Sequence, residues 1–192
     1  MQDLGFYFGI GWGHIISKDA LDHQLFIAAL VAIYLLKDWK QVLILVTAFT
    51  IGHSLTLVLS VFDIIRFNSR WVEFLIPLTI VITALSNLYQ KKFTAKSVRI
   101  NYILALVFGL VHGMGFANAL GSLGLPQHSY LTSLVMFNVG VELGQLAVIV
   151  SAFLLFGKWF GNKPYYRKAI VIPLSILITL VAGYWTIERL FF

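Results

Sequence analysis

Thr47–Leu57 reads TAFTIGHSLTL, and the fold follows from where that stretch lies. It is the middle of a longer apolar run, residues 41–62, with no acidic or basic residue other than one histidine. An ionisable side chain deep in hydrocarbon costs roughly 2.5 kcal/mol or more, and by default marks a functional site. His53 therefore needs partners, and they must come from other segments of the chain. Thr47, Thr50 and His53 or Ser54 recur at helical spacing and form one polar stripe. Serine and threonine can bond back to their own helix, a competing explanation for the hydroxyls that does not extend to His53.

The rest of the chain is just as apolar. It is 192 residues long, 59% hydrophobic and only 11% charged, with a mean hydropathy of +0.88. Soluble domains carry about 25% charged residues, so the composition is that of an integral membrane protein with no room for a soluble domain. The net charge of +6 would fit nucleic-acid binding in a soluble chain. Here the bases lie in short loops between apolar runs, where orientation in the membrane explains them, and no nucleic-acid partner is expected. There is no cysteine, hence no disulfide and no thiolate ligand. The start, MQDLGF, lacks a basic leader region, so no cleaved signal peptide is expected.

Seven apolar runs follow in order, at 5–18, 21–36, 41–62, 71–89, 100–121, 129–156 and 169–190. The first is short and glycine-rich for a span of about 20 residues. The expectation is an all-α transmembrane bundle, 1–192 as a single domain, with six helices and one short, tilted or re-entrant N-terminal helix. Ten bases fall in the loops after the second, fourth and sixth runs: Lys37, Lys40, Lys91, Lys92, Lys96, Arg99, Lys158, Lys163, Arg167 and Lys168. The opposite loops hold only Lys18, Arg66, Arg70 and Arg189. Positive-inside bias puts the ten in the cytoplasm and the C-terminus outside.

Depth can be counted from those anchors at about 1.5 Å per helical residue. His53 lies thirteen residues from Lys40 and His112 thirteen from Arg99, about 20 Å each. His23 is fourteen from Lys37 and Glu142 sixteen from Lys158, about 21 and 24 Å. All four fall in one layer just outside the midplane of a core about 30 Å thick. Gly109 and Gly113 bracket His112, Gly140 and Gly144 bracket Glu142, and Gly9 and Gly13 precede His14. Small residues four apart let helices approach closely, which points these ionisable groups into the bundle.

The candidate metal ligands are therefore His14, Asp22, His23, His53, His112 and Glu142. Imidazole and carboxylate suit divalent nickel, cobalt or zinc. Asp22 has two further explanations, a helix N-cap or a partner that fixes the tautomer of a ligating histidine. Asn138, Glu142 and Gln145 share one helix face, which casts Asn138 and Gln145 as groups that orient the carboxylate, with Ser54 in a similar supporting place beside His53. Asn118 reads as packing or lining, Glu73 as a partner for Arg70, and His128 as a solvated loop residue.

The segments GHIIS…LDHQLF, TAFTIGHSLTL, FGLVHGMGFANAL and FNVGVELGQ, in this order over roughly residues 5–150, resemble the second subgroup of the HupE/UreJ family of small bacterial membrane proteins. The resemblance implies a nickel or cobalt permease of the bacterial inner membrane serving hydrogenase or urease. Nickel permeases often carry His-x4-Asp-His in the first helix; here seven residues separate His14 from Asp22.

Two readings of the site stand side by side. In a carrier, an ion enters past His14, is held by the histidines with Asp22 or Glu142, and leaves inward; intramembrane sites at interrupted, glycine-rich helices are typical of transporters. In an intramembrane zinc hydrolase, three histidines and a carboxylate would hold zinc with one open position and activate water, with Ser54 and Glu142 as the catalytic candidates. The partners expected either way are the metal ion and the lipid bilayer; association into a homo-oligomer is left open.

Overall fold

A computed structural model describes residues 4–65, 67–90, 95–122, 130–157 and 165–191. His128, Arg66, Lys91, Lys92, Lys158 and Lys163 lie outside the described residues, as do the side chains of Lys96 and Asn118.

The described residues form seven α-helices and no strand: α1 (Leu4–Ile16), α2 (Leu21–Val31), α3 (Trp39–Val61), α4 (Ser69–Tyr89), α5 (Ala95–Ser122), α6 (Tyr130–Ala152) and α7 (Ile172–Phe191). The last five are long and apolar enough to cross a membrane; α1 and α2 are not. The short first helix is as expected. The second run, 21–36, is helical only to Val31, because the chain then turns. The Tyr34 N–H donates to the Val31 carbonyl at 2.9 Å, and the Asp38 carboxylate accepts from Leu35 N–H at 3.0 Å. At 11 residues, α2 rises only about 16 Å, half a bilayer core.

Three close pairs build the bundle: α3 with α5 and α1 with α6, each running parallel, and α4 with α7, running antiparallel. Glycine sets the first two. A Cβ on Gly52 would sit 2.5 Å from the Leu106 carbonyl oxygen of α5, and one on Gly109 or Gly113 would overlap the Phe49 or His53 carbonyl of α3. The helices thus touch backbone to backbone, and the Thr56 hydroxyl donates across the gap to the Leu110 carbonyl at 2.8 Å. In the α1–α6 pair Gly140 meets the Phe8 carbonyl and Gly144 the Ile15 side chain. On α1 the contact residue is Gly11, against Phe137; Gly9 and Gly13 have nothing within 4 Å of an added Cβ. The small-residue spacing was right, but its register on α1 is shifted by two residues, toward the buried face that carries Tyr7, Gly11 and Ile15. α4 and α7 are tied at the ends away from Lys37 and Lys40, where Arg70 donates to the Leu190 carbonyl at 3.0 Å and Arg189 to the Glu73 carbonyl at 3.2 Å.

The short α2 is held at both ends. The Asn87 amide of α4 donates to its Ala29 carbonyl at 2.6 Å. At its start Gln24 reaches back to α1, its Nε2 lying 3.1, 3.3 and 3.0 Å from the carbonyl oxygens of Ile15, Ile16 and Ser17. Helix C-termini leave carbonyls without intrahelical partners, and one side chain here satisfies the end of α1 while fixing it to α2.

Candidate metal centre

Fastening α1 to α2 brings His14 to His23, with ring centroids 4.5 Å apart. The α5 helix, seated on α3 by its glycines, brings His112 to the other side of His23, 4.0 Å between centroids. Asp22 closes the group. Its Oδ1 lies 3.0 Å from His23 Nδ1 and its Oδ2 3.3 Å from His112 Nε2, so one carboxylate spans imidazoles from two helices. Ligand atoms of Asp22, His23 and His112 all lie within 4.8 Å of one another. Neighbouring ligands about 2.1 Å from an ion stand about 3–3.5 Å apart, so a closing shift of under about 1 Å per side chain would seat one.

The group opens onto a cleft of about 150 Å³, whose lining includes His14, Ser17, Asp19, Asp22, His23 and His112. The α1–α2 junction and the start of α4, through Ile76, form its rim. It therefore lies in the half of the bundle away from Lys37, Lys40, Arg167 and Lys168. Deeper in, the side chains turn aromatic. Phe26, Phe49 and Phe108 each lie one helical turn from a histidine (His23, His53 and His112) on the basic-end side, and all are fully buried. Phe26 and Phe108 stack with centroids 3.4 Å apart. This floor was missed in the sequence, where its only trace is a phenylalanine three or four residues from each of those histidines.

His53 is completely buried and belongs to the cluster by its edge. Its ring centroid is 5.9 Å from that of His14 and 5.9 Å from Phe137, and it does not line the cleft. Five imidazole nitrogens in the cluster are buried without a hydrogen-bond partner: His14 Nε2, His23 Nε2, both of His53, and His112 Nδ1. Buried polar atoms are normally paired, which makes such a concentration a candidate ligand site.

The remaining candidates lie on the α3–α6 seam. Asn138 is beside His53, its amide donating to the Leu134 carbonyl at 2.8 Å. The Thr50 hydroxyl lies 3.3 Å from Gln145 Oε1. Ser54 donates to the Thr50 carbonyl at 2.7 Å, the back-bond that competes with any chemical role. Glu142 accepts from the Thr47 hydroxyl at 3.1 Å and stands apart from the Asp22 group. Thr47 precedes His53 by six residues, so Glu142 sits about 9 Å nearer the basic end rather than level with the histidines. The span that carries it, Leu131–Leu155, has 25 residues, about 37 Å against a core of about 30 Å, and a count from its far end overstates height.

A family model described as HupE / UreJ protein matches residues 1–189. The chain belongs to the HupE/UreJ family. No curated protein and no solved structure matches it. In this HupE/UreJ chain the longer spacing between His14 and Asp22 is taken up by the α1–α2 junction, Ser17 to Ala20, which folds His14 back onto His23.

Proposed function

We propose that this membrane protein carries a divalent transition-metal ion, nickel or cobalt, with Asp22, His23 and His112 as its loading site and His14 closing the group from α1. The observation that carries the reading is a carboxylate bridging imidazoles of two helices, among partnerless buried ring nitrogens, at the bottom of a polar cleft. Membership of the HupE/UreJ family supports metal handling, and mixed nitrogen and oxygen ligands suit nickel and cobalt while permitting release. The positive-inside bias makes the basic end cytoplasmic. The cleft then faces the periplasm of a bacterial inner membrane, the C-terminus lies outside, and the ion is taken up. Zinc fits the same ligands. The hydrolase reading is the weaker, since Ser54 is committed to the Thr50 carbonyl and Glu142 to Thr47. The test is uptake of radiolabelled Ni²⁺ or Co²⁺ into proteoliposomes; no flux above that of empty vesicles overturns the proposal.

A further inference from the structure

The transport reading leaves an ion at the loading site facing an aromatic floor. Phe26, Phe49 and Phe108 are fully buried beneath it and offer no ligand atoms. A run of buried polar groups continues sideways past His14. Beyond His14 stands His53, with Asn138 as its polar neighbour; neither the His53 ring nitrogens nor Asn138 Oδ1, all buried, make a hydrogen bond within 3.5 Å. One turn nearer the basic end on the same seam, Thr50 and Gln145 are buried together at 7% and 2% exposure.

We infer that His53 and Asn138 form a second station for the ion, in series with the loading site and separate from it, so that the route inward runs along the α3–α6 seam around the phenylalanines. His14, in ring contact with both His23 and His53, is the step between them. A neutral imidazole and an amide oxygen make a weaker pair of ligands than two imidazoles and a carboxylate, which suits a place the ion passes through. The buried, unpaired His53 is otherwise a costly choice, since each partnerless buried polar atom forfeits its hydration.

This inference rests on the transport reading, and the experiment separates the two. Wild type, His53→Ala, Asn138→Leu and Asp22→Asn are purified, compared at equal amounts of monodisperse protein, titrated with Ni²⁺ alone in detergent, and assayed for Ni²⁺ uptake in proteoliposomes. Asp22→Asn is expected to lose binding and uptake together. His53→Ala and Asn138→Leu are expected to bind Ni²⁺ within about threefold of wild type and to lose uptake at least tenfold. Asn138→Leu preserves volume and decides the matter if His53→Ala does not fold. Loss of binding in the His53 and Asn138 variants equal to that in Asp22→Asn would make this one site and overturn the inference. Undiminished uptake in them would overturn it too. A wild type that neither binds nor transports Ni²⁺ removes the reading beneath it.

Discussion

Gly52→Ala is the smallest change that tests whether helix contact builds the site. The new Cβ would lie 2.5 Å from the Leu106 carbonyl oxygen, 2.9 Å from Leu110 N and 3.3 Å from Gly109 C. All three are backbone atoms of α5, so no side-chain rotation relieves the clash. To move from 2.5 Å to the 3.4 Å at which ordinary contact begins, α3 and α5 must part by about 0.9 Å. Overpacking of this kind costs about 1–3 kcal/mol. The functional loss should be larger than that suggests, because α3 carries His53 and α5 carries His112, and metal ligands tolerate displacements of only about 0.2 Å. Ni²⁺ uptake should fall at least tenfold, with a loss of stability measured by denaturant titration in detergent micelles. Gly9→Ala and Gly13→Ala are the controls. With nothing within 4 Å of either Cβ, each should be neutral or gain up to about 1 kcal/mol from helix propensity. Uptake unchanged in Gly52→Ala, or lost equally in Gly9→Ala, would refute the argument that backbone contact between α3 and α5 sets the site.

Asp22→Asn should weaken Ni²⁺ binding 100-fold or more by calorimetric titration, since loss of a supporting partner alone typically costs 10–100-fold and this carboxylate holds two imidazoles. Gln24→Leu removes the amide that reaches the Ile15 and Ile16 carbonyls ending α1, while the Ser17 carbonyl keeps the Ala20 N–H; it should cost about 1–3 kcal/mol in thermal stability and lower Ni²⁺ affinity by displacing His14. Phe108→Ala removes a ring that is fully buried and stacked on Phe26. It should destabilise by about 3–5 kcal/mol and raise non-saturable Ni²⁺ leak into vesicles, and an unchanged leak would show that the floor is not the barrier.

The bundle and most of the candidate cluster were legible because the membrane enforces simple rules. A histidine in an apolar run must face the interior, and a count from basic anchors put His23, His53 and His112 in one layer that the structure brings together. Local backbone chemistry was less legible. Nothing in the run 21–36 announces that Asp38 will take the Leu35 N–H and end α2 at half length. Gln24 reads as one polar residue near a helix start, and its purpose exists only once α1 ends beside it. The register of the α1 glycines was misplaced because Gly9 and Gly13 satisfy the four-residue small spacing and Gly11, with Tyr7 and Ile15 four residues away, does not; only the opposing Phe137 backbone selects Gly11. Glu142 was misplaced in height for a different reason: anchor counting assumes that every span is as long as the bilayer is thick.

The short helices and the glycine contacts answer one requirement together. A full-length span keeps its backbone groups bonded along its whole length and offers the membrane interior only side chains. Ending α1 and starting α2 beside the cleft brings His14, Asp22 and His23 together near one junction, and the loose carbonyls there would be a liability without Gln24. That junction alone gives only three candidate ligands. Backbone contact through Gly52, Gly109 and Gly113 supplies the complementary part, a rigid wall that holds His53 and His112 with little room for adjustment. The cluster thus joins a polar break between two short helices, which can admit a hydrated ion, to a close-packed helix pair that the ligands at the break must meet. Transport then calls for movement between those two parts, and the bridge that Asp22 makes from His23 to His112 is the contact such movement has to break.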